Sequence, residues 1–366
     1  MSINGSNKEA VFCWALLKYP NILKRALHLP LAKIELEKKV NGKDIDIYAM
    51  DKNRNLNVLV EVQLTKAHST YVKRMKEMIA LNPDSVLVWI ASEFDESHIR
   101  EMEDYINENA RNVDFYAIEI DPNVLPILQE LNELYKLEIY DELYRIREMG
   151  NVINVRYIKK QIPANFIGQA SFAKVGFDFT KIEDVKRALL QELRERMPYL
   201  LNLYYNKKAS NSNPALSVGA GLYGLSFKCG TRDKNGLSFV ELYFDISKID
   251  MYEKFKSLKN QMTERISRDI KIIDRKIGVY FEPSDTYEET FAIIAKLFER
   301  FLLFFSPYIF SVKEIKDEGI DVRKSFTDGD RGYGCRIMLN TMENHIETED
   351  SIRIAVENEA DYFLYK

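Results

Sequence analysis

Cysteine is scarce in this chain. Three occur in 366 residues, Cys13, Cys229 and Cys335, far apart and without a CxxC pair. A disulfide framework and a cysteine zinc site are therefore not expected, and a reducing cytoplasmic setting fits. His28, His98 and His345 have no partners at metal-ligand spacing. No apolar run approaches the roughly 18 residues of a membrane-crossing helix, and no basic-then-apolar leader pattern opens the chain. Internal repeats are also lacking. These absences point to a soluble cytoplasmic protein with no membrane partner.

What is present supports a large folded core. The hydrophobic fraction is 46% and the aromatic fraction 12%, and the length suits two or three domains. The net charge of −4 hides an asymmetry: residues 1–80 hold 14 Lys and Arg against 8 Asp and Glu, and the remainder 38 against 48. The basic excess includes Lys38, Lys39, Lys43, Lys52, Arg54, Lys66, Lys73, Arg74 and Lys76. Such a cluster suits phosphate, although a lysine-rich solvated surface has the same composition.

Periodicity orders the first half as a helix over 7–28 interrupted at Pro20, strands at 31–40, 44–50 and 56–64, a helix over 68–81, a strand at 85–91, a helix over 95–109 and a strand at 113–120. Asn41-Gly42 is a hairpin-turn signal. The run Val86-Leu87-Val88-Trp89-Ile90 reads as a strand buried on both faces. The expected fold class is α/β: a mixed sheet flanked by helices, followed by a second α+β domain. Expected boundaries are 1–120 for the first domain, 121–150 for a helical linker and 151–366 for the second. The second is expected to hold helices near 181–197, 250–270 and 286–304 and strands at 222–229, 237–246 and 277–282. The polar stretch Lys207–Pro214 reads as a loop. The Asp328-Gly329-Asp330 turn resembles a cation loop but lacks the EF-hand pattern.

The chemistry-bearing residues lie between Gly42 and Gln63. A strand period of two puts Asp44 and Asp46 on one face and Ile45 and Ile47 on the other. On the next strand Val58, Val60 and Val62 face one way, Glu61 and Gln63 the other. Carboxylates are costly inside strands and repel across neighbouring ones, and a hard divalent cation neutralises them. An isolated Asp near a hairpin is more often a turn residue; Glu61 inside Val-Leu-Val-Glu-Val is harder to explain that way.

Asp46 followed fifteen residues later by Glu61-Val62-Gln63 resembles the core motif of the PD-(D/E)xK nuclease superfamily, and the order of elements over 7–120 is similar to its restriction endonuclease-like fold. Val60-Glu61-Val62-Gln63-Leu64, Val88-Trp89-Ile90-Ala91 and Glu119 resemble a bacterial family that joins such a domain to a C-terminal DUF4268 domain. Phe239-Val240-Glu241-Leu242-Tyr243-Phe244 resembles that second part. The resemblance implies a metal-dependent endonuclease acting on nucleic acid, with DNA expected, in genome defence or on a mobile element. Asp46 and Glu61 would hold Mg²⁺ or Mn²⁺. Gln63 stands where the motif has lysine; a neutral amide orients water only by hydrogen bonds. Lys66 is a candidate replacement cation, with Glu9, Glu35 and Glu37 as candidate extra acids. Lys43, Lys73, Arg74 and Lys76 are candidate contacts to a nucleic-acid backbone. Double-strand cleavage needs two sites, so a homodimer is one expected assembly. The alternative is a nuclease fold that has lost catalysis and binds nucleic acid or a partner protein.

Overall fold

The computed structural model describes residues 8–109, 112–134, 137–168, 177–204 and 214–309. The first elements are α1 (Lys8–Lys18) and α2 (Asn21–Leu27), separated at Pro20, whose missing N–H suits the residue before a helix rather than its interior. Then come β1 (Leu31–Val40), β2 (Lys43–Asp51), β3 (Leu56–Val62), α3 (Ser69–Leu81), β4 (Asp84–Ala91), α4 (Glu96–Asn109) and β5 (Asn112–Ile120). Asn41 and Gly42 both have positive φ, 47° and 84°, and close the β1–β2 hairpin with Val40 opposite Lys43. Two consecutive positive φ values make the primed turn that matches strand twist.

The chain from 121 to 150 is not one helix. It forms α5 (Val124–Glu133), α6 (Ile139–Glu142) and α7 (Tyr144–Glu148), and α5 and α7 pack on α1. Next, β6 (Ile153–Lys159) pairs antiparallel with β5. The first sheet therefore takes its sixth strand from beyond residue 150. Its order is β1-β2-β3-β4-β5-β6, antiparallel from β1 to β3, parallel from β3 to β5 and antiparallel again at β6.

Helices cover both faces of this sheet. Under α3 and α4 lie Tyr48, Leu59, Leu87, Trp89, Phe115 and Ala117, with Met75, Met78 and Met102 from the helices. Alternate residues, including Val58, Val60, Val86, Val88 and Ile90, are equally buried and by strand alternation face the other layer. Burial of each such side chain contributes about 1.5–3 kcal/mol. Seven of the eight residues of β4 are buried, as a two-sided strand requires. One expectation fails: Ile45 packs in the α3/α4 layer together with Tyr48, so β2 does not alternate strictly around Asp46.

A second, five-stranded antiparallel sheet has the order β10-β11-β9-β8-β7. Its elements are α8 (Ile182–Arg196), β7 (Leu216–Gly219), β8 (Leu225–Gly230), β9 (Ser238–Phe244), α9 (Ile249–Ser257), α10 (Lys259–Arg265), β10 (Lys271–Ile273), β11 (Lys276–Phe281) and α11 (Tyr287–Ile309). The helix expected over 250–270 breaks at Leu258 and gives way to β10. β7 had no counterpart in the sequence reading. α11 lays Phe298 against Phe227 of β8, at 5.5 Å between ring centres. All described residues belong to one unit, Met1–Asp317. Residues 207–213 of the polar loop, Cys335, His345 and the 328–330 turn lie outside the described residues.

Candidate active site

The site forms where β2 leaves β3. Their pairing runs from Asp51 opposite Leu56 to Ile47 opposite Val60. One step further, Asp46 falls beside Glu61, and there the ladder changes character: the Val62 N–H donates to Oδ2 of Asp46 at 2.8 Å. The carboxylate serves as a backbone acceptor, which agrees with the lost alternation at Ile45. On the other side, Leu36 opposite Ile47 and Lys38 opposite Ile45 bracket Glu37 against Asp46. Glu37 has φ +51°, in the left-handed region that non-glycine residues rarely occupy. Glu37, Asp46 and Glu61 thus stand in one row across three strands.

Glu61 is 1% exposed. Arg74 of α3 forks onto it, with Nε 2.5 Å from Oε2 and Nη2 2.9 Å from Oε1, and Nη2 also reaches the Asp44 carbonyl oxygen at 2.7 Å. Such a planar bidentate pair is among the stronger ionic hydrogen bonds. Even so, the Glu61 carboxyl is pushed up to about 8: burial is the largest cause, the neighbouring charge of Asp46 adds to it, Arg74 opposes both and Glu37 contributes a little more. Arg74 offsets the burial and the neighbouring charge only in part. Tyr71, one turn before Arg74, is pushed up to about 12 by burial and then by Glu9, Asp46 and Glu61; its ring stacks on Trp89 at 6.3 Å. Behind the row, the Cys13 thiol of α1 is raised well above its ordinary range by burial and then by Asp46, Glu37, Glu9 and Glu61. It stays a thiol and is no nucleophile.

Gln63 is also 1% exposed. Its Nε2 donates to Thr65 Oγ1 at 2.9 Å and to the Lys66 carbonyl oxygen at 2.6 Å, holding the turn after β3. Its Oε1 is buried and has no hydrogen-bond partner among the described residues, an orphan acceptor of the kind that bound water or a ligand satisfies. Lys66 lies apart: its ammonium is 2.8 Å from Asp95 and 3.2 Å from Glu93, and these two carboxylates raise its pKa. Glu9 reaches the rim, its Oε1 accepting from the Leu64 N–H at 3.4 Å. Glu35 pairs with Lys38.

Among the basic candidates, Lys43 pairs with Glu77 at 2.6 Å and Lys76 with Glu101 at 2.7 Å. Lys73 is exposed. Arg74 turns inward to Glu61, and nothing in its lysine-flanked sequence context signalled that. His68 is exposed before α3, with its ring edge-on to Tyr71 at 5.1 Å. Tyr48 is core, its hydroxyl donating to Asn57 Oδ1 at 2.9 Å.

No family model matches the chain, and no curated protein matches it. Other buried acids are fully engaged. Asp51 and Asp114 share Arg54, at 2.7 and 2.8 Å. Glu241 of the second sheet takes Lys276 at 3.0 Å and the Tyr280 hydroxyl at 2.8 Å.

Among the described residues, no three His, Cys, Asp or Glu side chains come together to hold a metal ion. Mg²⁺, however, is commonly bound through one or two carboxylates with waters and substrate phosphate. Asp46, Glu61 and the orphan amide oxygen of Gln63 are hard oxygen donors. The Glu61 carboxyl is raised by burial first and by the neighbouring charge of Asp46 second, and a cation would act on that second cause. The donor set fits a hard divalent ion in type.

Among the described residues, no helix is long and apolar enough to cross a membrane.

Proposed function

We propose that this chain is a metal-dependent phosphodiesterase of the PD-(D/E)xK kind, with a restriction endonuclease-like first domain, acting on nucleic acid and on DNA in particular. The observation that carries this reading is the in-row pair Asp46 and Glu61 at the β2–β3 fork, with the Glu61 carboxyl pushed up to about 8 despite Arg74. The order α1, three antiparallel strands, α3 and a parallel strand supports it.

Asp46 and Glu61 would hold Mg²⁺ or Mn²⁺, which when bound supplies a more acidic water and screens phosphate charge. Asp46 is fixed by the Val62 N–H, so its free energy of positioning is met by the fold before any ligand arrives. Gln63 offers Oε1 as an acceptor that orients a water hydrogen, while its amide N–H groups hold the 63–66 turn. Arg74, rather than Lys66, places a permanent positive charge beside Glu61, where it can stabilise charge developing on a phosphate. The second sheet would serve DNA specificity or dimerisation.

A second reading has its own support: both Glu61 oxygens are engaged by Arg74 and, among the described residues, no group of three His, Cys, Asp or Glu side chains is arranged to hold a metal ion, as in a nuclease fold that binds without cutting. Incubation of the chain with single- and double-stranded DNA and RNA and Mg²⁺ or Mn²⁺ separates the two. Cleavage that disappears in Glu61→Ala, with binding retained, supports the enzyme. Binding without cleavage in the wild type supports the second reading.

A further inference from the structure

Away from the acids, Lys18 at the end of α1, Arg25 in the last turn of α2 and Arg147 of α7 line one cavity of about 530 Å³ with Tyr19, Ile22 and Asn151. Among the described residues no acidic side chain lines it. Lys18 is anchored: Nζ donates to the Tyr140 carbonyl oxygen at 2.5 Å and sits 3.9 Å from the centre of that ring. The Arg147 guanidinium lies 5.1 Å from the Tyr19 ring centre. Arg25 is exposed and has no ion pair among the described residues. Two acids act on the group from outside the lining. Asp141 favours the charged form of Lys18. Glu148 is 3.7 Å from Arg147, both side chains being more than half exposed, so solvent screens that pair. Burial first, and Arg147 as well, pull the Lys18 ammonium below its ordinary range. Three cationic residues therefore line a space with no acidic side chain among its described lining.

We propose that this cavity binds a phosphate monoester, presented either by a free nucleotide or by the terminal phosphate of a nucleic-acid strand. Two guanidiniums and an ammonium suit a dianion with several acceptor oxygens, and the volume is that of a small-ligand site. The site is separate from the acids: Glu9 and Lys18 are nine residues apart on α1, about 14 Å along its axis. It stands whether or not the chain cleaves nucleic acid.

Calorimetric titration of the full chain with inorganic phosphate, adenosine monophosphate, and a tetranucleotide with or without a 5′-phosphate tests it. Saturable binding of the phosphate-bearing ligands is expected, weakened at least tenfold by Arg25→Gln and by Arg147→Gln and unchanged by Arg100→Gln, an exposed arginine of α4. Arg25 is exposed, so its variant decides the matter should Arg147→Gln not fold. A phosphorylated tetranucleotide binding at least tenfold tighter than the mononucleotide identifies the strand end as the source; equal affinity identifies the free nucleotide. Absence of saturable binding, unaltered binding in both Gln variants, or equal weakening by Arg100→Gln overturns the proposal.

Discussion

The two ends of the β2–β3 hairpin each place an arginine among carboxylates, and they differ in how completely the carboxylates are served. At the turn end, Asp51 accepts from the Asn53 and Arg54 N–H groups and from Arg54 Nε. Asp114 accepts from Arg54 Nη1 and from the Gln161 and Ile162 N–H groups. Every charge there meets fixed donors, and the side chain of Arg54 is 14% exposed. At the fork end Glu61 has, among the described residues, Arg74 as its ion-pair partner, 39% exposed, with Asp46 and Glu37 adding negative charge. The first arrangement ties β2, β5 and the segment after β6 together. The second holds Glu61 through Arg74 and leaves the Gln63 amide oxygen without a hydrogen-bond partner among the described residues. A closed ion network is a structural element; an incompletely satisfied one is where a ligand has something to gain.

The comparison is broken most easily by exchanging the roles of the two ends. Asp46→Asn or Glu61→Gln should lower the proposed cleavage by about a thousandfold, within the range of lost charge stabilisation and general acid–base groups, while the circular dichroism spectrum stays unchanged. Arg54→Ala should leave two buried carboxylates uncompensated and cost about 3–5 kcal/mol, measured as a lower urea midpoint. Should Arg54→Ala prove harmless and Glu61→Gln unfold the chain, the assignment of the two ends is reversed.

A pH series sharpens the contrast. The Glu61 carboxyl is raised in the folded chain to about 8, above the roughly 4.3 of an unfolded glutamate. Between those values the folded state holds the extra proton. Stability should therefore fall as pH rises through that window, by up to about 1.4 kcal/mol per pH unit. Denaturation curves of Glu61→Gln should lack this component. The smallest effect is expected for Lys66→Ala, about twofold or less on the cleavage rate, because its ammonium is held by Asp95 and Glu93. A loss of a hundredfold would return Lys66 to the site.

The sequence made the first five strands of the first sheet legible, because β4 is apolar from Val86 to Ala91 and Asn41-Gly42 is a strong hairpin signal. It also exposed Glu61, since a carboxylate in the middle of a valine strand has few structural uses. Arg74 was not legible: it lies between Lys73 and Met75, on the border of the inward stripe of α3, and only the fold shows which way it turns. The row through Glu37 depends on the irregular backbone of β1, where Lys33 and Glu37 both have positive φ, and residue types carry no signal of that. β6 was missed as a member of the first sheet because its half-exposed, charged pattern is that of an edge strand. The break at Leu258 was missed because the apolar spacing continues across it.

Asp46 and Glu61 are proposed to act together as one divalent-cation site. Titration of Mn²⁺ into the full chain at pH 8.5, followed by calorimetry, tests it without relying on any substrate. Saturable uptake of at least one ion by the wild type, with affinity at least tenfold weaker in Asp46→Asn and in Glu61→Gln, is the predicted result. Absence of uptake by the wild type, or equal uptake by all three proteins, would contradict it.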